Sequence, residues 1–288
     1  MRKFKLRDQA AERMQGISKE DIQSSEKEKK TAGQEKLSVG KLVCSDFRVI
    51  SRTDTGLIRK NNQDTVILGC GLMGIADGMG GHNGGETASL GARDGLLREL
   101  EGKQPDIQTL EAAVKTVNSE LYQEQLNDEK LAGMGTTLTV LWPTDEKMLV
   151  AHVGDSRAYL LRSGKLRQMT NDHSLVGDMV RRGILTEEQA ACHPMRNYIT
   201  RAIGTEDDID ADILAFERET GDRWLVCSDG LHGLVRREEL ELLMNQEDLD
   251  ETADEMIRLA LDRGGKDNVS LVIVNDMKKT AEGMEVTE

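Results

Sequence analysis

An α+β domain, with antiparallel sheets and helices packed outside them, is the architecture this sequence predicts. Short apolar strand-like runs cluster, and helix-like stretches cluster separately, without the strict β-α-β alternation a doubly wound parallel sheet requires. At 288 residues, 38% of them hydrophobic, the chain is long enough to bury a core. Aromatics make up only 3%, so that core rests on Leu, Val, Ile, Ala and Met.

Residues 1 to about 40 are rich in Lys, Glu and Gln and read as a charged tail, with Phe4, Leu6 and Met14 too sparse for an amphipathic face. The alternative for this tail is a docking or membrane-surface segment using its basic first turn. The main domain is expected over 43–277, with a second short tail at 278–288. Phe47-Arg48-Val49-Ile50 and Thr65-Val66-Ile67-Leu68 read as strands, and Gly69-Cys70-Gly71 as the turn into Leu72-Met73-Gly74-Ile75-Ala76. A glycine-rich loop over 77–85 leads to a helix from about Glu86 to Glu101. Leu110, Ala113, Val114, Val117 and Leu121 fall at helical spacing and predict a helix over about 107–126. Strands follow at Thr136–Trp142, Met148–Val153 and Arg157–Leu161, with Ser163-Gly164 as a hairpin turn. Residues 172–205 read as irregular, with one short helix near Thr186–Ala191 capped by Thr186. Trp224–Cys227 is a strand, Glu238–Met244 and Ala253–Leu261 are helices, and Val269–Val274 is a closing strand.

The formal charge of −14 argues against nucleic acid as a partner, since a phosphate backbone needs a basic footprint. Cys44, Cys70, Cys192 and Cys227 are scattered, with no zinc spacing, and read as reduced thiols. No run reaches the ~18 apolar residues of a membrane span, and the basic start lacks an apolar segment after it. A cytoplasmic location is the expectation.

Three acidic positions share one local design, an Asp at or beside the end of an apolar strand with Gly or Asn after it: Asp77-Gly78, Asp229-Gly230 and Asp267-Asn268. Such carboxylates are rigidly placed, and the small neighbour lets carbonyls or waters approach. Hard cations such as Mg²⁺ and Mn²⁺ take oxygen ligands of this kind. The separation of the three sites excludes an EF-hand and points to a site assembled from remote segments. The loop from Asp77 to Glu86 carries five glycines yet matches neither a P-loop nor a dinucleotide fingerprint.

Arg59…Asn62-Gln63-Asp64, Asp77-Gly78-Met79-Gly80-Gly81-His82, Gly133-Met134-Gly135-Thr136-Thr137, Gly154-Asp155-Ser156-Arg157, Ser228-Asp229-Gly230 and Asp267-Asn268 occur in this order. Together they make the chain resemble the metal-dependent protein phosphatase family (type 2C) in its compact bacterial form, over about residues 46–275. The resemblance implies a central β-sandwich of two antiparallel sheets flanked by helices, a four-layer αββα arrangement. It implies a serine/threonine phosphatase in which a hydroxide bridging two Mn²⁺ or Mg²⁺ ions attacks phosphoserine or phosphothreonine directly. By the same resemblance Asp77 bridges both metals, the Gly78 carbonyl and the waters held by Asp64 serve the second, and Asp229 and Asp267 complete the first. Arg59 then grips the substrate phosphoryl group, for which its planar fork is suited. His82 is the nearest candidate general acid, standing three residues beyond the position where many eukaryotic relatives carry a histidine. A third metal in bacterial relatives uses an Asp before the Gly-Met-Gly-Thr-Thr stretch; here Lys130 stands at the best-aligned position. Asp155 and Arg157 are expected to form a structural hairpin pair, and Asp172 and His173 not to be a catalytic pair. Segment 172–205 resembles the family's flap, with Arg181, Arg182 and Arg196 as candidate peptide contacts.

Phosphorylated substrates of a Ser/Thr kinase are the implied partners, and a monomer is favoured. The competing reading is a catalytically silent module of the same fold that binds phosphoproteins or a kinase. A third makes the chain a phosphatase dedicated to one regulatory partner, tethered by its tail.

Overall fold

The computed structural model describes residues 37–43, 46–80 and 84–277. Two antiparallel sheets stack face to face. The first runs β1 (Leu37–Val43), β2 (Phe47–Asp54), β12 (Val269–Asp276), β11 (Arg223–Cys227), β8 (Arg157–Arg162) and β9 (Lys165–Gln168). The second runs β10 (Asp212–Glu217), β7 (Lys147–Val153), β6 (Leu138–Pro143), β4 (Leu72–Met79) and β3 (Asp64–Gly69), with β5 (Gly135–Thr136) paired to the end of β4. Helices α1 (Gly84–Leu100) and α2 (Ile107–Asn127) cover the second sheet. Helices α6 (Arg237–Met244) and α7 (Leu249–Asp262) cover the first.

The alternation of side chains along a strand explains why both sheets are covered on both faces. In β12, Leu271 and Ile273 point into the helix-side core, while Val272 and Val274 point between the sheets. In β11, Leu225 and Cys227 take the helix side, and Trp224 and Val226 the inter-sheet side. In β4, Leu72 and Ala76 meet α1 and α2, whereas Met73 and Ile75 meet the opposite sheet. Central strands therefore read as continuous apolar runs, because neither face meets water. The result is the four-layer αββα sandwich that the resemblance implied.

The expected strands and helices are present, with ends shifted by a few residues. Four differences have physical reasons. Residues 37–40, read as the end of the tail, form the first half of β1, an edge strand whose pairing with β2 supplies order that its Lys-rich surroundings hide. Residues 77–79, read as loop, continue β4, because Gly78 and Met79 pair with Thr136 and Gly135. Strand β10 lies at the edge of its sheet and is only partly buried, so its apolar signal is weak. The segment 172–205 holds two short helices, not one: α3 (Leu175–Arg181), capped by the Ser174 side chain, and α4 (Glu187–Ala191), closed by a Thr186/Gln189 capping box. Between β11 and α6 lies one helical turn, α5 (Asp229–His232).

Among the described residues, no helix is long and apolar enough to cross a membrane. Cys70, Cys192 and Cys227 are unpaired thiols, and Cys44 lies outside the described residues.

Candidate active site

Strand topology brings distant carboxylates to one end of the sandwich. Antiparallel pairing of β3 with β4 sets Asp64, the first residue of one, opposite Asp77 near the end of the other. Asp229 follows the end of β11, and Asp267 precedes the start of its neighbour β12. The Ser228 hydroxyl joins the two sheets by donating to Asp64 Oδ2 at 2.8 Å, while its oxygen accepts from Ser270 N at 3.0 Å.

Glycines after the acidic residues let backbones close on one another. A Cβ on Gly78 would stand 2.0 Å from the Gly85 carbonyl oxygen and 2.7 Å from that of Gln63. A Cβ on Gly230 would stand 1.9 Å from the Asn268 carbonyl oxygen. Any side chain there would push apart the segments that bear the carboxylates. Asp77 is fixed through its own backbone: its carbonyl accepts from Thr137 N and Thr136 Oγ1 at 2.8 and 2.9 Å, and its N–H donates to Thr137 Oγ1 at 3.0 Å.

Electrostatically, the cluster is a concentration of negative charge. Burial pushes Asp64 up to about 6, with the Ser270 and Ser228 hydroxyls pulling it partly back. Burial, and then the negative charges of Asp64, Asp229, Asp155 and Asp267, hold Asp77 well above the usual carboxylate range. Asp229 is raised in the same way, by burial and then by Asp155, Asp267 and Asp64. Burial raises Asp155 to about 7, and Asp172 adds to the shift. Asp77, Asp229 and Asp267 keep partial access to solvent, whereas Asp64 and Asp155 are buried. One oxygen of each buried carboxylate, Oδ1 of Asp64 and Oδ1 of Asp155, has no hydrogen-bond partner. Orphaned buried carboxylate oxygens cost free energy and are the donors a hard cation would satisfy.

Arg59 brings a cation to the cluster: its Nη2 donates to Asp267 Oδ2 at 2.7 Å. That hydrogen bond, and then the charges of Asp267, Asp77 and Asp229, raise the guanidinium further above its ordinary value against a smaller burial effect. Among the described residues no three or more His, Cys, Asp or Glu side chains are grouped closely enough to hold a metal ion as they stand. The partners of Asp64 and Asp267, Ser228 and Arg59, explain how two of the carboxylates are engaged otherwise. Orphaned oxygens, an all-oxygen donor set and mutually raised carboxylates fit Mn²⁺ or Mg²⁺, which keep several waters and need few protein ligands.

The structure thus brings together Arg59, Asp64, Asp77, Gly78, Asp229 and Asp267. His82 lies outside the described residues. Lys130 sits in an exposed 3-10 turn at Glu129–Leu131. The expected pairing of Asp155 with Arg157 is corrected: Arg157 binds Asp172 through Nε and Nη2, at 2.8 and 2.7 Å. Asp155 instead faces Asp229 and Asp77 as a fifth carboxylate. The two separate because Asp155 belongs to the turn after β7, whereas Arg157 already starts β8. Sequence reasoning also gave no role to Ser228, Thr136 or Thr137, whose contribution is contact across strands. Asp172 and His173 tie the start of segment 172–205 to the sandwich: Asp172 holds Arg157, and His173 exchanges bonds with Gly154, its N–H donating to the carbonyl and its Nδ1 accepting from the amide.

A protein phosphatase 2C family profile matches residues 57–272. The serine/threonine protein phosphatase PstP of Mycobacterium tuberculosis is 39% identical over 232 residues, covering 80% of this chain and 45% of that protein. The chain thus spans about half the length of this mycobacterial relative. The serine/threonine phosphatase stp of Listeria monocytogenes is 36% identical over 237 residues, covering 77% of this chain and 93% of that protein. A crystal structure of mycobacterial PstP superposes with a TM-score of 0.76 at 38% identity, over 81% of this chain and all of that one. The PstP catalytic domain in complex with two manganese ions gives a TM-score of 0.75 at 36% identity, over 81% of this chain and 99% of that one. With the layered sandwich and the convergent aspartates, these likenesses establish that the chain belongs to the protein phosphatase 2C family.

Proposed function

We propose that the protein is a serine/threonine phosphoprotein phosphatase that uses two divalent cations, Mn²⁺ or Mg²⁺. The observation that carries this reading is the meeting of Asp64, Asp77, Asp155, Asp229 and Asp267 at one end of the sandwich with Arg59 beside them. Isolated buried negative charge is unfavourable, and a cluster of this density is stabilised by cations. Asp77, the Gly78 carbonyl, Asp229 and Asp267 would hold the pair, with Asp64 ordering water around the second ion. When bound, the two cations would supply a water acidified to near neutrality and neutralise charge on the phosphoryl group.

The chain's own residues do the rest. Arg59 is half-exposed at the rim, so its guanidinium can leave Asp267 and take two phosphate oxygens in its fork. Thr136 and Thr137 keep Asp77 in place through the backbone bonds described above. Protonation of the departing Ser or Thr oxygen falls to His82 in this reading, since its ordinary pKa of about 6.5 suits a proton donor near neutrality. Asp155, with its orphaned oxygen, is the carboxylate best suited to any additional cation. The substrates would be phosphoproteins made by a Ser/Thr kinase, and the setting a signalling pathway in the cytoplasm.

The test is hydrolysis of a phosphothreonine peptide by the full chain with added Mn²⁺. EDTA should abolish turnover, and Asp229→Asn should lose ~10² or more in rate. Metal-independent turnover would refute the assignment. The silent-module reading has no observation in its favour, because every core acidic position is filled.

A further inference from the structure

Loop 55–63 carries Arg59, yet Leu57, Ile58, Arg59, Lys60 and Asn61 in it are all exposed. Such a loop has little packing to hold a phosphate-binding guanidinium in register. Beside the local bonds from Gly56 N to Asp54 and from Asn62 to Thr53, one side chain from the far end of the chain reaches the loop three times. Asn268 is buried at 5% exposure, and its amide makes three bonds to the loop backbone. Oδ1 accepts from Gln63 N at 2.8 Å, and Nδ2 donates to the carbonyls of Thr55 and Asn61 at 2.9 and 3.0 Å. These contacts fall on both sides of Arg59. Both amide hydrogens and the amide oxygen are used, a pattern that neither Asp nor Ser can reproduce. Leu57 N adds a bond to the Gly265 carbonyl at 2.7 Å, and Gly56, at φ +77°, lies so close that a Cβ would stand 2.2 Å from the Asp267 carbonyl oxygen.

We propose that Asn268 is the positioning residue for Arg59: its amide clamps loop 55–63 onto the strand end that carries Asp267. The inference rests on the reading of Arg59 as the phosphate ligand. One dipeptide then does two jobs. Asp267 presents a carboxylate to the cation site, and Asn268 sets the distance between that site and the guanidinium. Misplacement of a gripping group by about 1 Å costs on the order of 10²-fold in rate, so the clamp matters without touching substrate.

A double-mutant cycle in the full chain tests this, with Mn²⁺ present and a phosphothreonine peptide as substrate. Asn268→Ala should lower kcat/KM by roughly 10- to 100-fold, and Arg59→Ala should lower it as well. The double variant should fall within about twofold of Arg59→Ala, because the clamp has nothing left to position. Hydrogen exchange should show faster exchange at the amides of Leu57 and Gln63 in Asn268→Ala, with the sandwich strands unchanged. Asn268→Asp, which keeps the shape and the Gln63 bond but loses both donors, replaces Asn268→Ala in the cycle if that variant does not fold, and the exchange readout is then Leu57 alone. Multiplicative losses in the cycle, or unchanged exchange at Leu57 and Gln63, would overturn the proposal. Unchanged kcat/KM in Arg59→Ala would overturn the reading of Arg59 itself, a different pattern.

Discussion

Ser228→Ala removes one oxygen atom from the centre of the site, and its consequences can be worked from the geometry. The hydroxyl is fully buried. It donates to Asp64 Oδ2 at 2.8 Å and accepts from Ser270 N at 3.0 Å. A hydrogen bond to a charged group is worth about 1.5–3 kcal/mol, and a buried amide left without a partner costs about 1–3 kcal/mol. In the metal-free protein Asp64 already sits at about 6, and the lost donor moves it further up. A more tightly protonated Asp64 holds the waters of the second ion less well, so Mn²⁺ affinity should drop ~10- to 100-fold, as when other outer partners of a metal site are lost. The deficit should be larger at pH 6 than at pH 8, where the proton competes less. Calorimetric Mn²⁺ titration at both pH values, with urea unfolding in EDTA, reads both effects; the unfolding free energy should fall by about 3 kcal/mol. Wild-type Mn²⁺ affinity together with a wild-type urea midpoint would refute the role given to this hydroxyl.

Asp155→Asn tests the buried charge from another side. Asp155 is raised to about 7 in the fold from an ordinary 3.8, so its contribution to stability is complete below pH 4 and is lost as pH climbs through 7. Asn does not titrate. In EDTA, the variant should therefore gain stability relative to wild type between pH 5 and pH 8, by about 3 kcal/mol, in urea melts; a pH-independent difference would contradict the burial argument. Gly78→Ala places a methyl 2.0 Å from the Gly85 carbonyl oxygen and should lower the thermal midpoint by several degrees while weakening Mn²⁺ binding. An unchanged midpoint and unchanged binding would show that this close approach is dispensable.

Much of this arrangement was legible in the sequence where the signal was local. Asp77, Asp229 and Asp267 each stand at or beside a strand end with Gly or Asn next, and the strands that aim them are apolar on both faces. Asp155 was less legible, because Gly154 precedes it and its side chain acquires meaning only when β11 and β8 pair. Ser228, Thr136 and Thr137 are ordinary polar residues in sequence; contacts across 42 to 164 positions give them their place in the site. Asn268 was visible as part of a motif but not as a clamp, since its three acceptors and donors are backbone atoms some 200 residues away. Strand β10 escaped notice for a related reason: at a sheet edge none of its side chains is fully buried, and the apolar alternation fades.

Calorimetric titration of the metal-free chain with Mn²⁺, beside the Asp77→Asn variant, addresses the convergence of the carboxylates most directly. Two ions per wild-type chain, with loss of saturable uptake in the variant because Asp77 serves both, is the result this account predicts. No saturable uptake by the wild type, or the same two ions bound by Asp77→Asn, would contradict it.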